Sequence, residues 1–332
     1  MDKKLHEEYL IYLENVTKKF KIRGEGEWKT SLLTAVDHVN FGIYPGETFG
    51  LVGESGCGKS TLAQTMLRLV EATEGAVYYQ GRDIYKMNAK ELQGIRREMQ
   101  IVFQDPYDSL DPRMTLEQTM LEPFEIHGVG TREERRKRIR ELFQMVGLPE
   151  TQLCRYPHQL SGGQRQRVSI ARSIALNPKL LVCDEAVSAL DVSIQAQVLN
   201  ILSDLKRDLG LTYLFVSHDL SVVRFISDRV GVMYFGRMVE VAETDELFRN
   251  CQHPYTKALL AAVPNPNPRE RRERASLEGE VPSLISPPAG CIFHQRCPYA
   301  DEHCRTVPPE LQNIGNDHWV ACHKCGAAKA AE

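Results

Sequence analysis

The stretch Phe49-Gly-Leu-Val-Gly53-Glu-Ser55-Gly56-Cys57-Gly58-Lys59-Ser60-Thr61 decides how the rest of this chain is read. A short apolar run leads into a match to G-x-x-x-x-G-K-[ST], and a helical pattern continues from Thr61 to Val70, so the predicted order is buried strand, tight loop, helix. Only residues without a Cβ readily take the positive φ angles that turn successive N–H groups toward one concave point. The helix that opens there adds unpaired N–H donors and the positive end of its dipole, worth about 0.3 to 2 kcal/mol to a bound anion. Lys59 is placed to reach the β and γ phosphates of a nucleoside triphosphate, and the Ser60 hydroxyl to ligate magnesium. A Gly-rich turn that only caps a helix is the bland alternative, and the strand before the loop argues against it.

Working outward, Leu180-Leu-Val-Cys-Asp184-Glu185 ends an apolar strand in adjacent carboxylates, at the edge where open α/β sheets bind ligands. Asp184 is expected to hold magnesium, directly or through water, and Glu185 to act as general base on the attacking water. Successive side chains on a strand point to opposite faces, so the pair can divide these roles only if the chain turns just after Asp184.

Composition sets the frame around these motifs. A chain of 332 residues that is 42% hydrophobic and 26% charged folds around a sizeable core and is too long for one ordinary domain. A net charge of -3 supplies no general field for nucleic acid or anionic lipid. No apolar stretch approaches a bilayer span, and the opening MDKKLHEEYLIYLENV is too acidic for a secretory signal, so a cytosolic chain is expected. Of the nine cysteines, Cys291, Cys297, Cys304, Cys322 and Cys325 crowd the C-terminal end, which in a reducing compartment suggests metal before disulfides.

Along the chain, Tyr9 to Phe20, Ala35 to Ile43 and Ala76 to Tyr85 read as antiparallel strands. Phe49 to Val52, Leu180 to Cys183 and Tyr213 to Val216 read as buried parallel strands. Thr115 to His127, Arg132 to Val146 and Gln164 to Leu176 carry helical periodicity and form a helical insertion. Val230 to Val241 reads as a hairpin around Gly236-Arg237 that closes the first lobe, and the Pro-rich stretch after Val263 reads as a linker. The charge runs at Arg132 to Arg140 and Arg269 to Arg274 interleave Glu at helical spacing and read as solvated helix faces, not nucleic-acid patches.

So far the chain is a P-loop NTPase of unspecified class. Leu160-Ser161-Gly162-Gly163-Gln164 resembles the signature of the ABC ATPases. The resemblance extends to Gln104 in Ile-Val-Phe-Gln-Asp-Pro as a Q-loop, Ser188-Ala-Leu-Asp191 as a D-loop, and His218 in Val-Ser-His-Asp as a switch histidine. Phe20 falls where that family stacks an aromatic on adenine. The resemblance implies an α/β fold: a RecA-like core with an antiparallel β subdomain and an α-helical subdomain. It places the cassette at residues 1–265, its helical subdomain at about 105–176, and a Cys-rich extension at 266–332.

It further implies an ATP sandwich of two head-to-tail cassettes, in which Gly53 to Thr61 of one holds the nucleotide and the Ser161 to Gln164 region of the other closes on the γ phosphate. Asp191 lies in this shared interface, Gln104 joins Ser60 and Asp184 around magnesium, and His218 keeps the water and Glu185 in place. The string Gly-Leu-Val-Gly-Glu-Ser-Gly-Cys-Gly-Lys-Ser-Thr, the run Phe103 to Thr115 with Tyr107, and the tail Gly290-Cys-Ile-Phe-His-Gln-Arg-Cys-Pro resemble the F-type ATP-binding subunits of oligopeptide and dipeptide importers. That resemblance implies a peripheral protein on the cytoplasmic side of the cell membrane. Its expected partners are a second ATPase subunit (a D-type relative or another copy), two transmembrane permeases and an extracytoplasmic peptide-binding protein. Nickel, glutathione or antimicrobial peptides are alternative cargoes within the subfamily. A soluble ABC ATPase acting on nucleic acid is disfavoured, because one cassette without a long coiled coil departs from that pattern, and no nucleic-acid partner is expected.

Four tail cysteines, Cys291, Cys297, Cys304 and Cys322, form a soft ligand set. The family resemblance favours a [4Fe–4S] cluster on them. Zinc stays open through Cys322-His323-Lys324-Cys325, and unligated thiols stay open as well.

Overall fold

The protein is described from a computed structural model, which covers residues 8–23, 30–105, 109–262 and 288–325. The chain divides into two compact units, one of Met1–Gly42, Phe49–Tyr85 and His218–Glu332, the other of Ile43–Thr48 and Lys86–Ser217. In chain order the strands are β1 (Ile11–Arg23), β2 (Thr30–Ile43), β3 (Thr48–Val52), β4 (Glu74–Tyr79), β5 (Arg82–Asp83), β6 (Met99–Val102), β7 (Leu180–Asp184), β8 (Thr212–Val216), β9 (Arg229–Tyr234), β10 (Arg237–Glu243), β11 (Gln312–Asn313) and β12 (Trp319–Val320). The helices that matter below are α1 (Lys59–Met66), α2 (Ala89–Glu98), α3 (Leu116–Ile126), α4 (Arg132–Met145), α5 (Gly162–Ser173) and α6 (Val192–Leu209).

In the first unit, β2, β1, β4 and β5 lie side by side in that order, with β1 antiparallel to β4. Alternation explains the pairing: Ile11, Leu13 and Val77 are fully buried, while Tyr12 and Tyr78 are half-buried on the other face. The expected strand from Ala76 to Tyr85 is shorter than its composition suggests, because Gln80 and Gly81 take positive φ and turn the chain, and Ile84–Lys86 forms a 3-10 turn. β3 pairs in parallel with β9, and all five of its residues are buried, which is why its sequence shows a continuous apolar run and no alternation. Phe235 and Gly236, both at positive φ, form the two-residue turn between β9 and β10, the geometry that matches strand twist. β10 does not close this lobe. Glu240 and Val241 pair with Val320 and Trp319 of β12, so the C-terminal segment continues the sheet.

In the second unit, β6, β7 and β8 pair in parallel, with Val102 opposite Cys183 and Asp184 opposite Val216. Every residue of β7 and β8 is buried. The helical periodicities hold with trimmed ends. α3 and α4 each start on a capping box, Thr115 with Gln118 and Thr131 with Glu134, which satisfies N–H groups that an opening helix leaves over. The charged face of α4 is solvated and pairs locally, Arg136 with Glu117 and Arg138 with Glu141. The linker reading and the charge run at Arg269 to Arg274 lie outside the described residues, as does Tyr107.

Candidate functional site

The first unit carries the phosphate loop. Gly58 caps α1 at φ 105, and as a glycine it makes no side-chain cap bond to the first turn. Two of the glycines are required sterically as well. A Cβ on Gly53 would stand 2.1 Å from Met233 O, and one on Gly58 would stand 2.1 Å from Ala35 O. Lys59 is 4% exposed, and its ammonium donates to Gly53 O at 2.8 Å and to Glu54 O at 3.0 Å. The loop thus holds its own cation at the position where phosphate oxygens would replace those carbonyls. Ser55 and Gly56 are exposed, Ser60 and Thr61 half-buried. Cys57 is buried 3.8 Å from the Lys59 ammonium, yet burial outweighs that charge and pushes its thiol up, so it is a packing residue and not a nucleophile.

Phe20, in β1, is half-buried rather than part of the core, and the Lys18 ammonium stands 4.9 Å from its ring centre.

Of the expected magnesium ligands, the second unit carries Gln104 and Asp184, and Ser60 belongs to the first unit. Gln104 follows β6, Asp184 ends β7, and Ser217 follows β8, all at the C-terminal ends of parallel strands. Asp184 is 6% exposed, whereas Gln104 is exposed. Glu185 has φ 49, an uncommon conformation for a residue with a Cβ, and donates its N–H to Val216 O at 3.0 Å. The chain therefore turns immediately after Asp184. His218, which opens the next stretch of the first unit, is separated from β8 by Ser217 and is exposed.

The signature residues are placed differently: they open α5 and follow no parallel strand. Ser161 caps the helix, its Oγ accepting from Gln164 N at 3.3 Å while Gln164 Oε1 accepts from Ser161 N at 3.1 Å. Ser161 and Gly162 are exposed, but Gly163 is buried, and a Cβ there would meet Ile194 Cγ2 of α6 at 2.3 Å. The second glycine of the pair thus has a packing reason that its sequence pattern did not reveal. Asp191, expected at a shared interface, is exposed at the start of α6 and makes no side-chain cap bond.

The tail cysteines come into one another's electrostatic reach. Cys291 N donates to Cys304 O at 2.8 Å, and the thiols of Cys297, Cys304 and Cys322 all act on that of Cys291, which burial pushes up to about 11. Burial likewise raises Cys297 and Cys304. Cys322 is pulled down and Cys325 pushed up by the closeness of the two thiols, and the Cys325 thiol donates to Gln252 O at 3.5 Å. Among the described residues no group of three or more His, Cys, Asp or Glu is arranged to hold a metal ion. As placed, Cys291, Cys297, Cys304 and Cys322 do not form a ligand cage.

Sequence reasoning passed over Glu54, Tyr255 and Arg296. Tyr255 Oη accepts from Glu54 N at 2.9 Å, and Arg296 grips the Glu54 carboxylate at 3.0 and 3.1 Å. The only hint in the sequence was an arginine directly before Cys297, inside a segment read for metal alone.

Comparison with known proteins agrees with this layout. Residues 36–188 match the ABC transporter family, and residues 239–304 match the oligopeptide/dipeptide transporter C-terminal region. The chain is 50% identical over 322 residues to the oligopeptide transport ATP-binding protein AppF of Bacillus subtilis, covering 96% of this chain and 98% of AppF. It resembles the solved dimeric structure of MJ0796, a bacterial ABC transporter cassette, with a TM-score of 0.63 at 35% identity, over 70% of this chain and 98% of that one. It also resembles cbiO1 of Clostridium perfringens, part of the ABC transporter complex cbiONQ, with a TM-score of 0.63 at 27% identity, over 74% of this chain and 92% of that one. A phosphate loop on α1, carboxylates at the edge of β7 and a capped signature helix, together with these likenesses, place the chain in the family of ABC transporter ATPases, among the oligopeptide and peptide transport ATP-binding proteins.

Proposed function

We propose that the protein hydrolyses ATP as one half of a head-to-tail pair and drives import of oligopeptides or dipeptides across the cell membrane from its cytoplasmic side. The observation that carries the ATP half is the glycine-capped start of α1, with the Lys59 ammonium folded back onto the loop carbonyls Gly53 O and Glu54 O, a site suited to a polyphosphate. The Mg2+ of the substrate complex suits oxygen donors, which Ser60, Gln104 and Asp184 supply. Bound magnesium would neutralise charge on the phosphates. Glu185 orients and deprotonates the attacking water, His218 holds the γ phosphate and Phe20 stacks on adenine.

Pairing follows from what is left exposed. Ser161, Gly162 and Asp191 lie at the surface, where the N-terminal end of α5 can face a nucleotide on another cassette. The second cassette is a D-type relative or another copy. The peptide cargo rests on AppF, an oligopeptide transport protein by name, and on the match of residues 239–304. Two membrane permeases and an extracytoplasmic peptide-binding protein complete the assembly. No helix among the described residues is long and apolar enough to cross a membrane, so the path for the peptide is assigned to those partners. A cleft of about 540 Å³ beyond the Q-loop, lined by Leu110, Arg113, Met114, Glu122 and Arg172, is a fitting seat for a permease segment.

The cassette is assigned to residues 1–265, with a helical subdomain over about 105–176, and the Cys-rich extension to 266–332. Loading of that extension with an iron–sulfur cluster, or with zinc, is supported by the electrostatic reach of Cys297, Cys304 and Cys322 to Cys291 and requires the four thiols to draw together.

The test is reconstitution with the permeases in vesicles and uptake of labelled peptides against labelled nickel and glutathione. ATP-dependent peptide uptake that is lost in Lys59→Ala supports the reading. Uptake of nickel or glutathione alone overturns the cargo, and ATP-driven uptake by Lys59→Ala overturns the site.

A further inference from the structure

Arg296 ties the C-terminal segment to the phosphate loop. Arg296 lies in the turn between Cys291 and Cys297, which is built on Cys291 N to Cys304 O at 2.8 Å and Arg296 N to Phe293 O at 3.0 Å. Its guanidinium makes a bidentate pair with Glu54, Nη1 to Oε2 at 3.0 Å and Nη2 to Oε1 at 3.1 Å, and Nη1 also donates to Tyr234 Oη at 3.4 Å. The arginine side chain is 6% exposed and the glutamate 29%, so the pair is largely withdrawn from water, where a fork-on-carboxylate contact is strong and fixed in direction.

Glu54 is the hub of the loop. Its N–H is held by Tyr255 Oη at 2.9 Å, its carbonyl accepts from Cys57 N at 3.2 Å and from the Lys59 ammonium at 3.0 Å, and its carboxylate is held by Arg296. All three polar groups of one residue are thus engaged, and one of them determines where the phosphate-binding lysine rests. Under this hub, Phe293 of the tail packs edge-on against Tyr234 with centroids 5.3 Å apart and against Tyr255 at 5.5 Å. Phe293 is 2% exposed, so the aromatic platform is core and gives the arginine a rigid base.

We propose that Arg296 is a positioning residue for ATP binding: through Glu54 it holds the phosphate loop in its receptive shape, so the turn Cys291–Cys297 sets nucleotide affinity from outside the cassette motifs. The contact is made in the free protein and touches no reacting atom, so it acts on the binding of ATP and not on the hydrolytic step.

The test uses the full chain and the variants Arg296→Gln, Arg296→Lys, Glu54→Gln and the double variant Arg296→Gln with Glu54→Gln. Affinity is read by equilibrium binding of a fluorescent ATP analogue, and kcat and KM by phosphate release. The expected result is an affinity loss of about tenfold in Arg296→Gln and in Glu54→Gln, no further loss in the double variant, and partial recovery in Arg296→Lys. KM rises with kcat within about twofold. Unchanged affinity in either single variant, losses that multiply in the double variant, or a fall in kcat at constant KM each overturn the proposal. Should Arg296→Gln fail to fold, Glu54→Gln decides alone, because it alters the loop end of the pair and leaves every tail residue in place.

Discussion

Glu185 donates its N–H to Val216 O at 3.0 Å while its own backbone sits at φ 49, so the neighbouring parallel strand fixes the direction in which the carboxylate leaves the sheet. Asp184, one residue earlier and opposite Val216, keeps regular strand pairing and remains 6% exposed. The turn between them lets adjacent carboxylates serve different partners, which a straight strand would forbid.

Replacing Glu185 with Gln keeps the shape and removes the base. Turnover is expected to fall by about 10² to 10⁴-fold, the usual worth of a positioned general base, with ATP binding retained. Phosphate release together with nucleotide-induced dimerisation, seen by gel filtration, checks this. A variant that hydrolyses ATP at the parental rate removes Glu185 from the role of base.

The paired glycines of the signature are expected to separate cleanly. Gly162 has nothing closer to a built Cβ than Leu190 Cδ2 at 3.9 Å, whereas Gly163 faces Ile194 Cγ2 at 2.3 Å. Gly163→Ala therefore overpacks the contact between α5 and α6 and costs about 1 to 3 kcal/mol, while Gly162→Ala leaves stability within about 0.5 kcal/mol. Thermal unfolding of both variants checks this, and trimming Ile194 to Ala in the Gly163→Ala background returns part of the loss. Equal stabilities would mean that the two helices sit farther apart.

The elements legible from sequence were those whose signal is local. β3, β7 and β8 announce themselves because each is a fully buried run bounded by a turn, and α3 and α4 because their apolar residues recur at helical spacing. β11 and β12 were missed, since strands of two residues carry no periodicity to detect, and their pairing with β10 comes from the tertiary fold. Motif reading brought out Lys59 and Glu185 but not the partnership of Glu54 with Arg296, which depends on a contact between residues 242 apart in the chain. The hydrogen bond from the Cys325 thiol to Gln252 O was equally out of reach, because a list of cysteine spacings does not say what each thiol meets.

The packing around Glu54 also gives the protein an acid-sensitive support. His253 is 2% exposed, burial pulls it down to about 4, and its Nδ1 accepts from Tyr255 N at 3.1 Å, a bond that only the neutral ring can accept there. Its folded value lies below the unfolded value of about 6.5, so its contribution is complete above pH 6.5 and drains away as the pH falls toward 4, by roughly 3 kcal/mol at most. His318 has the opposite sign. Burial opposes its charge, but Glu240 Oε1 at 2.8 Å outweighs that and raises it, so its contribution is complete below about pH 6.5 and is lost as the pH climbs through the raised value. Denaturant titrations from pH 4 to 8 are expected to show the acid-side loss in the parent protein and a flatter profile in His253→Asn, which keeps an acceptor near Nδ1 and does not titrate. An unchanged acid slope in that variant would assign the loss to other groups.

The tail cysteines offer a direct decision between metal and free thiols. Cys322 and Cys325 act on each other, lowering the first thiol and raising the second, while the Cys325 thiol donates to Gln252 O at 3.5 Å, so a metal held by Cys291, Cys297, Cys304 and Cys322 leaves Cys325 on that carbonyl. Under the cluster reading, protein purified without oxygen carries iron and acid-labile sulfide and is brown. Cys325→Ser leaves that content intact, while Cys322→Ser abolishes it. Under the zinc reading the protein is colourless with one zinc per chain, and Cys325→Ser lowers zinc as much as Cys322→Ser does, because the closely spaced pair then supplies two ligands. Thiols that titrate in full with an aromatic disulfide, in a preparation free of iron and zinc, leave the unligated thiols as the native state. The thiolate character of Cys322 then makes it the first of the tail cysteines to be alkylated, a result that mass spectrometry of the tryptic peptides reads without any assay of activity.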